Sequence, residues 1–314
     1  MDYLLLFVGI ALLAYGGELL VKGSVSLALR LQISTLVVGM TVVSFATSAP
    51  ELLVSLEAAL SDHPDISLGN VIGSNIANIG LVLGLTAVIS PLAIPKEIYR
   101  TNYPMLLIVS VLFMALLYFF KAITFWMGIL FVISLFVFGF LIIQKSRKNN
   151  AQAAQDDPLL QEVVSFPLWK SLSLLLAGAI ALYFGADLLV ESSVSIAREW
   201  GVTERVISLS LVAIGTSIPE LAASIIAAIR KEETLAIGNL IGSNIFNVLA
   251  VLGITSLVVD IPVMDLKILS KDIWIMLAFA LLLFPIMRFL DKNKINRVEG
   301  VLLFLAYTLY IYFL

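Results

Sequence analysis

At 314 residues, 61% hydrophobic and 13% charged, the chain is too apolar for a water-soluble globular domain, whose apolar share is about 45–50% and charged share about 25%. It reads as an integral membrane protein. The net charge of −3 says little about partners, because in such a chain the placement of Lys and Arg relative to the spans is what informs. With no cysteine there are no disulfides, thiolate metal sites or Cys nucleophile, and the single histidine, His63, falls in an expected loop, which excludes a histidine proton relay inside the membrane.

A crossing needs about 20 predominantly apolar residues, and ten stretches offer them: 3–21, 35–60, 66–90, 103–120, 122–144, 168–190, 206–229, 234–259, 273–290 and 298–314. No basic region precedes the first, so it reads as a retained span rather than a cleaved signal peptide. Four of the stretches carry internal Gly, Pro, Asn and Ser, which a membrane tolerates where backbone lines a cavity or packs on protein. Between the fifth and sixth lies a polar linker, 145–166, too short to fold alone. Assigning loops to alternate sides gives 14 Lys and Arg to one side and 5 to the other. The basic side is then cytoplasmic and both termini lie outside.

The chain repeats itself at a constant offset of 169 residues: 39–60 matches 208–229 at 9 of 22 positions, and 67–84 matches 236–253 at 11 of 18. Each half holds five spans. Five is odd, so the second half is expected to cross in the opposite sense, an all-α fold of ten helices in two inverted five-helix repeats, 1–144 and 167–314. Such folds place their substrate near the midplane, on interrupted helices where the repeats meet.

The interruptions carry the chemistry. Thr47-Ser48-Ala49-Pro50-Glu51 recurs as Thr216-Ser217-Ile218-Pro219-Glu220, and Gly69-Asn70-Val71-Ile72-Gly73-Ser74-Asn75 recurs as Gly238-Asn239-Leu240-Ile241-Gly242-Ser243-Asn244. On helical spacing Ser44, Thr47, Ser48, Glu51 and Ser55 share one face, as do Ala213, Thr216, Ser217, Glu220 and Ser224. Asn70, Ser74 and Asn78, and Asn239, Ser243 and Asn247, recur at intervals of four. Pro50 and Pro219 have no N–H for the carbonyls of Ala46 and Gly215, which frees two more oxygens. Hard cations take such oxygens, Ca²⁺ six to eight of them. Two facing glutamates carry the charge of one Ca²⁺ or two Na⁺. The bland alternative makes Glu51 and Glu220 interhelical glue, but the same order at mid-span twice favours a transport role. Ser55 and Ser224 read as packing residues, and Glu18 and Asp187 as anchors or access-path residues.

At these motifs the chain resembles the sodium/calcium exchanger superfamily, in its compact prokaryotic branch, which lacks the long cytoplasmic insertion after the fifth span. The resemblance implies a secondary antiporter, not an enzyme, that exchanges Ca²⁺ for Na⁺ by alternating access with the first and sixth spans as sliding gates. It implies Glu51 and Glu220 as central ligands, Thr47 and Thr216 as further Ca²⁺ ligands, and Ser48, Ser217, Ser74, Ser243 and the carbonyls of Ser44 and Ala213 at flanking Na⁺ sites. Asn78 and Asn247 complete the shell. Two positions depart from the pattern: Ala46 replaces a usual Gly, and Asn247 replaces an Asp of several members, which argues against K⁺ co-transport. Proton-coupled cation exchange is the runner-up and a membrane scaffold the third reading. No organic cofactor or nucleic acid is implied; the partners are Ca²⁺, Na⁺ and the lipid of a prokaryotic cytoplasmic membrane, with the oligomeric state open.

Overall fold

The structure is a computed structural model that describes residues 1–156, 166–202, 215–290 and 293–313. Among these residues the architecture is helical, with four two-residue strands. In chain order the helices are α1 (Asp2–Leu31), α2 (Thr35–Thr47), α3 (Ala49–Leu60), α4 (Pro64–Ile89), α5 (Ile98–Phe120), α6 (Phe125–Asp156), α7 (Leu168–Glu199), α8 (Ile218–Ile229), α9 (Glu233–Val258), α10 (Ile268–Arg288) and α11 (Arg297–Tyr312). Helices satisfy their backbone groups internally, which is what hydrocarbon demands.

Among the described residues seven helices are long and apolar enough to cross a bilayer, and the α2–α3 pair, bent by 44°, makes an eighth. Of the ten expected stretches, the one over 206–229 is described as a helix only from Ile218, and the last is the 16-residue α11. The polarity is inverted relative to a soluble protein. Phe119, Phe136 and Trp169 are more than two-thirds exposed, while both Glu51 and Glu220 are fully buried. An outer surface that apolar suits lipid and would aggregate in water.

Several limits differ from expectation. Helix α1 runs on to Leu31, where Gln32 closes it in the left-handed conformation, and α7 continues to Glu199. The segment read as linker begins helical: α6 extends through Asp156, because Lys, Arg, Gln and Ala are good helix formers even where they are polar. The rest of that linker, to 165, lies outside the described residues.

The offset of 169 reappears in the coordinates. It converts Ala49–Leu60 into Ile218–Ile229, Pro64–Ala77 into Glu233–Phe246, the π-helical Asn78–Leu83 into Asn247–Leu252, and Leu92–Ala93 into Ile261–Pro262. Contacts between the halves are reciprocal, as a two-fold relation requires. Strands β1 (Leu92–Ala93) and β4 (Lys294–Ile295) pair antiparallel, as do β2 (Ala122–Ile123) and β3 (Ile261–Pro262). Helices α1 and α7 pack through glycines in the same reciprocal way. A Cβ on Gly16 would lie 2.9 Å from the carbonyl oxygen of Gly178, and one on Gly178 2.8 Å from that of Gly16; Gly9 and Gly185 repeat the relation at 3.0 Å. Only glycine permits backbones this close.

Candidate functional site

The site forms where two helices break in the same way. Ser48, between α2 and α3, has φ −87° and ψ 6°; Ser217, before α8, has φ −90° and ψ 2°. Neither dihedral pair is helical. Proline follows two residues later in both places, in the first turn of the next helix, where its fixed φ suits and its missing N–H costs nothing. Glu51 and Glu220 therefore sit in the first turn of α3 and α8, where the positive end of the helix dipole favours a negative charge by about 0.3–1 kcal/mol.

The two breaks face each other. Ser48 Oγ donates to Glu220 Oε1 at 3.3 Å, across the repeat interface, and Glu51 lies close enough to Glu220 to feel its charge. From α9, Ser243 Oγ lies 3.4 Å from Thr47 Oγ1, and from α4, Ser74 Oγ lies 3.4 Å from Thr216 Oγ1. Thr47 also donates to Asn239 Oδ1 at 3.2 Å. Asn78 and Asn247 open the π-helical segments of α4 and α9, a local widening of the helix often found at functional sites.

Burial and hydrogen bonding disagree here in an informative way. Both oxygens of Glu51, Oε2 of Glu220, the hydroxyl of Ser217 and the Oδ1 atoms of Asn78 and Asn247 are buried without a hydrogen-bond partner among the described residues. Leaving one buried polar group unsatisfied costs about 1–3 kcal/mol, and more for a charged one. Six such oxygens, drawn from both halves, are too expensive for a purely structural cluster, and every one of them can accept. A cation offsets that cost; an anion or an apolar ligand does not. Among the described residues no group of three or more Asp, Glu, His or Cys that could hold a metal ion gathers anywhere; this cluster offers two carboxylates beside hydroxyl and amide oxygens.

Of the twelve expected residues, Thr47, Ser48, Glu51, Ser74, Thr216, Glu220 and Ser243 meet in this cluster, and Asn78, Ser217 and Asn247 are buried, each with an oxygen lacking a partner among the described residues. The eleventh, Ser44, is buried beside it; its carbonyl accepts from the Ser48 amide at 2.9 Å and from Thr47 Oγ1 at 3.4 Å, and its hydroxyl lies 2.9 Å from the Asn239 carbonyl. The twelfth, Ala213, lies outside the described residues. Glu18, an expected anchor, pairs with Lys22 at 3.0 Å and with Arg230 at 2.7 Å. Four residues have partners that sequence reasoning did not supply. Ser55 and Ser224, expected only to pack, accept from the amides of Asn70 and Asn239 at 2.9 and 3.2 Å. Asn75 and Asn244 accept from Asn247 and Asn78 at 3.1 and 3.5 Å. Their signal was present, since both stand in the repeated Gly-Ser-Asn, but they fall off the four-residue stripe.

Known proteins resemble the chain over nearly its whole length. The chain is 38% identical over 98% of its length to a protein of Alkalimonas amylolytica provisionally named antiporter CaxA, covering 96% of that relative. It is 29% identical to the sodium/calcium exchanger MaX1 of Methanosarcina acetivorans, over 99% of this chain and 97% of the other. A solved structure of the sodium-calcium exchanger NCX_Mj superposes with a TM-score of 0.83 at 31% identity, covering 99% of this chain and 98% of that one. The family model for sodium/calcium exchanger protein matches residues 1–144 and 170–314. The chain is thus an integral, multi-pass membrane protein that belongs to the sodium/calcium exchanger family.

Proposed function

We propose that this protein is an antiporter that exchanges Ca²⁺ for Na⁺ across a prokaryotic cytoplasmic membrane, with both termini outside. Its ten helices form two five-helix repeats, 1–144 and 167–314, that cross in opposite senses, joined by a cytoplasmic linker at 145–166. The observation that carries the reading is the cluster of buried, unpartnered oxygens around Glu51 and Glu220. Glu51 and Glu220 hold the ions near the midplane. Thr47 and Thr216 complete the Ca²⁺ shell with Asn78 and Asn247, while Ser48, Ser217, Ser74, Ser243 and the Ser44 and Ala213 carbonyls serve Na⁺. Because two carboxylates balance either one Ca²⁺ or two Na⁺, the ions compete for one set of oxygens, and competition is what couples them. Alternating access then needs a part that moves past the site, and the α1–α7 pair, joined to itself by its glycine seam, is that part. The names sodium/calcium exchanger MaX1 and NCX_Mj support the choice of ions.

The test is flux. Purified protein in Na⁺-loaded vesicles is expected to take up ⁴⁵Ca when external Na⁺ is removed, and to stop when Glu51→Gln or Glu220→Gln is introduced. Uptake driven by a pH gradient with no Na⁺ present would replace this reading with proton coupling. Absence of uptake under both gradients would replace it with a non-transporting role.

A further inference from the structure

An asparagine side chain serves a cation only through its oxygen, yet its two ends have nearly the same shape. Packing alone cannot choose between them; hydrogen bonds must. A flipped amide would aim two N–H groups at the ion.

Around the chamber the choice is made four times in the same sense. Asn70 Nδ2 donates to Ser55 Oγ at 2.9 Å and to the Glu51 carbonyl at 3.1 Å, and Asn239 Nδ2 donates to Ser224 Oγ at 3.2 Å. Asn78 Nδ2 is directed to Asn244 Oδ1 at 3.5 Å, and Asn247 Nδ2 to Asn75 Oδ1 at 3.1 Å. The Oδ1 atoms of Asn78 and Asn247 are the ends left over, buried and without donors.

The Asn247 arrangement has a further member that fixes its direction. Asn75 is itself an amide and could flip, but its Nδ2 lies 3.7 Å from Met276 Sδ on α10. A thioether has lone pairs and no hydrogen to give. It therefore takes the nitrogen of Asn75, which turns Asn75 Oδ1 toward Asn247 and leaves Asn247 Oδ1 as the end without a donor among the described residues. The matching π-helical segments Ile98–Asn102 and Ile268–Asp272 set α5 and α10 at an offset of 170, so the equivalent of Met276 in the first half is Leu106, which cannot accept.

We infer that Asn75, held by Met276, is a positioning residue for cation binding: it fixes the Asn247 amide oxygen-inward. The inference rests on the exchange reading above, in which Asn247 is a ligand. It is tested in vesicles with full-length protein, measuring the ⁴⁵Ca concentration dependence of Na⁺-driven uptake. In the Asn247 background, Asn75→Leu is expected to raise the KM for Ca²⁺ about tenfold, the equivalent of one hydrogen bond of about 1.4 kcal/mol. In an Asn247→Asp background the same change should move KM less than about twofold, because a carboxylate shows an oxygen to the chamber whichever way it turns. Met276→Leu, a volume-conserving change, should give a smaller rise with the same dependence on background, and it reads the same chain of bonds should Asn75→Leu fail to fold. Equal rises in both backgrounds would show that Asn75 acts through packing and would overturn the inference, as would an unchanged KM in the first background. Wild-type protein without Na⁺-driven uptake would remove the exchange reading itself, so the two failures are distinguishable.

Discussion

The two halves of this protein share a framework around the breaks and differ in their polar detail. The limits of α3 and α8, the breaks before them and the π-helical segments of α4 and α9 repeat at one offset, and the glycine contacts between α1 and α7 are mirrored within about 0.2 Å. The hydrogen bonds at the centre are not. Glu220 receives Ser48, whereas among the described residues neither oxygen of Glu51 is met by a donor. Asn247 is held at 3.1 Å through Asn75, and Asn78 at 3.5 Å through Asn244. On α1, Glu18 pairs with Arg230, while its counterpart Asp187 is exposed and position 61, the equivalent of Arg230, is a serine. Backbone packing thus repeats between the halves while polar side chains depart from the repeat; under the proposed exchange a cation needs a total of oxygens rather than a symmetric set.

The largest test of that comparison removes charge. Glu51→Gln and Glu220→Gln should each cost Ca²⁺ binding about 3–5 kcal/mol, the scale of breaking a buried charge interaction, which is at least a hundredfold loss of affinity. Isothermal titration with Ca²⁺ checks it. In cation-free buffer the pair should separate: Glu51→Gln is expected to raise the melting temperature more than Glu220→Gln, since Glu51 is the carboxylate without a donor. Equal shifts would mean that the asymmetry at the centre carries no energy.

A second test addresses the framework. Gly16→Leu and its repeat equivalent Gly185→Leu should destabilise the protein by similar amounts, about 1–3 kcal/mol or more, because each side chain would begin less than 3 Å from the other helix's backbone. Gly139→Leu, where an added Cβ meets nothing within 4 Å, is the control and should change little. Unequal effects of the paired substitutions in thermal unfolding would break the symmetry claimed for the packing.

The hydroxyls come next. Ser48→Ala removes a donor to a carboxylate and should cost about 1.5–3 kcal/mol of cation-free stability, whereas Ser217→Ala, whose hydroxyl has no partner, should cost almost none there. The smallest effect belongs to Glu18→Gln. Arg230 is 59% exposed, so breaking the pair should cost no more than about 1 kcal/mol, read as a salt-sensitive shift in melting temperature.

Much of this was legible in sequence because the signals are periodic. An unbroken 169-residue offset announced two copies, and Pro50 and Pro219 announced the breaks that bring Glu51 and Glu220 together. What escaped had its physical cause in three dimensions. Asn75 points across the repeat interface, off the stripe that a single helix shows, and its partner Met276 lies 201 positions away. Ser55 and Ser224 are small residues in a helix, so packing was the natural expectation; only the facing amides reveal them as acceptors. The continuation of α6 past 144 was hidden by polarity, which marks the end of a hydrophobic run but not the end of a helix.

The four short strands bear on how such a protein can be rebuilt. β1 precedes α5 and β2 follows it, so the first half clasps the second at both ends of one helix, and the second returns the grip around α10. A chimaera that imported only one half from a relative would have to fit two edges at once, at opposite ends of α5. Recombination between cousins should therefore succeed most often where crossover points leave both clasps with their original partners.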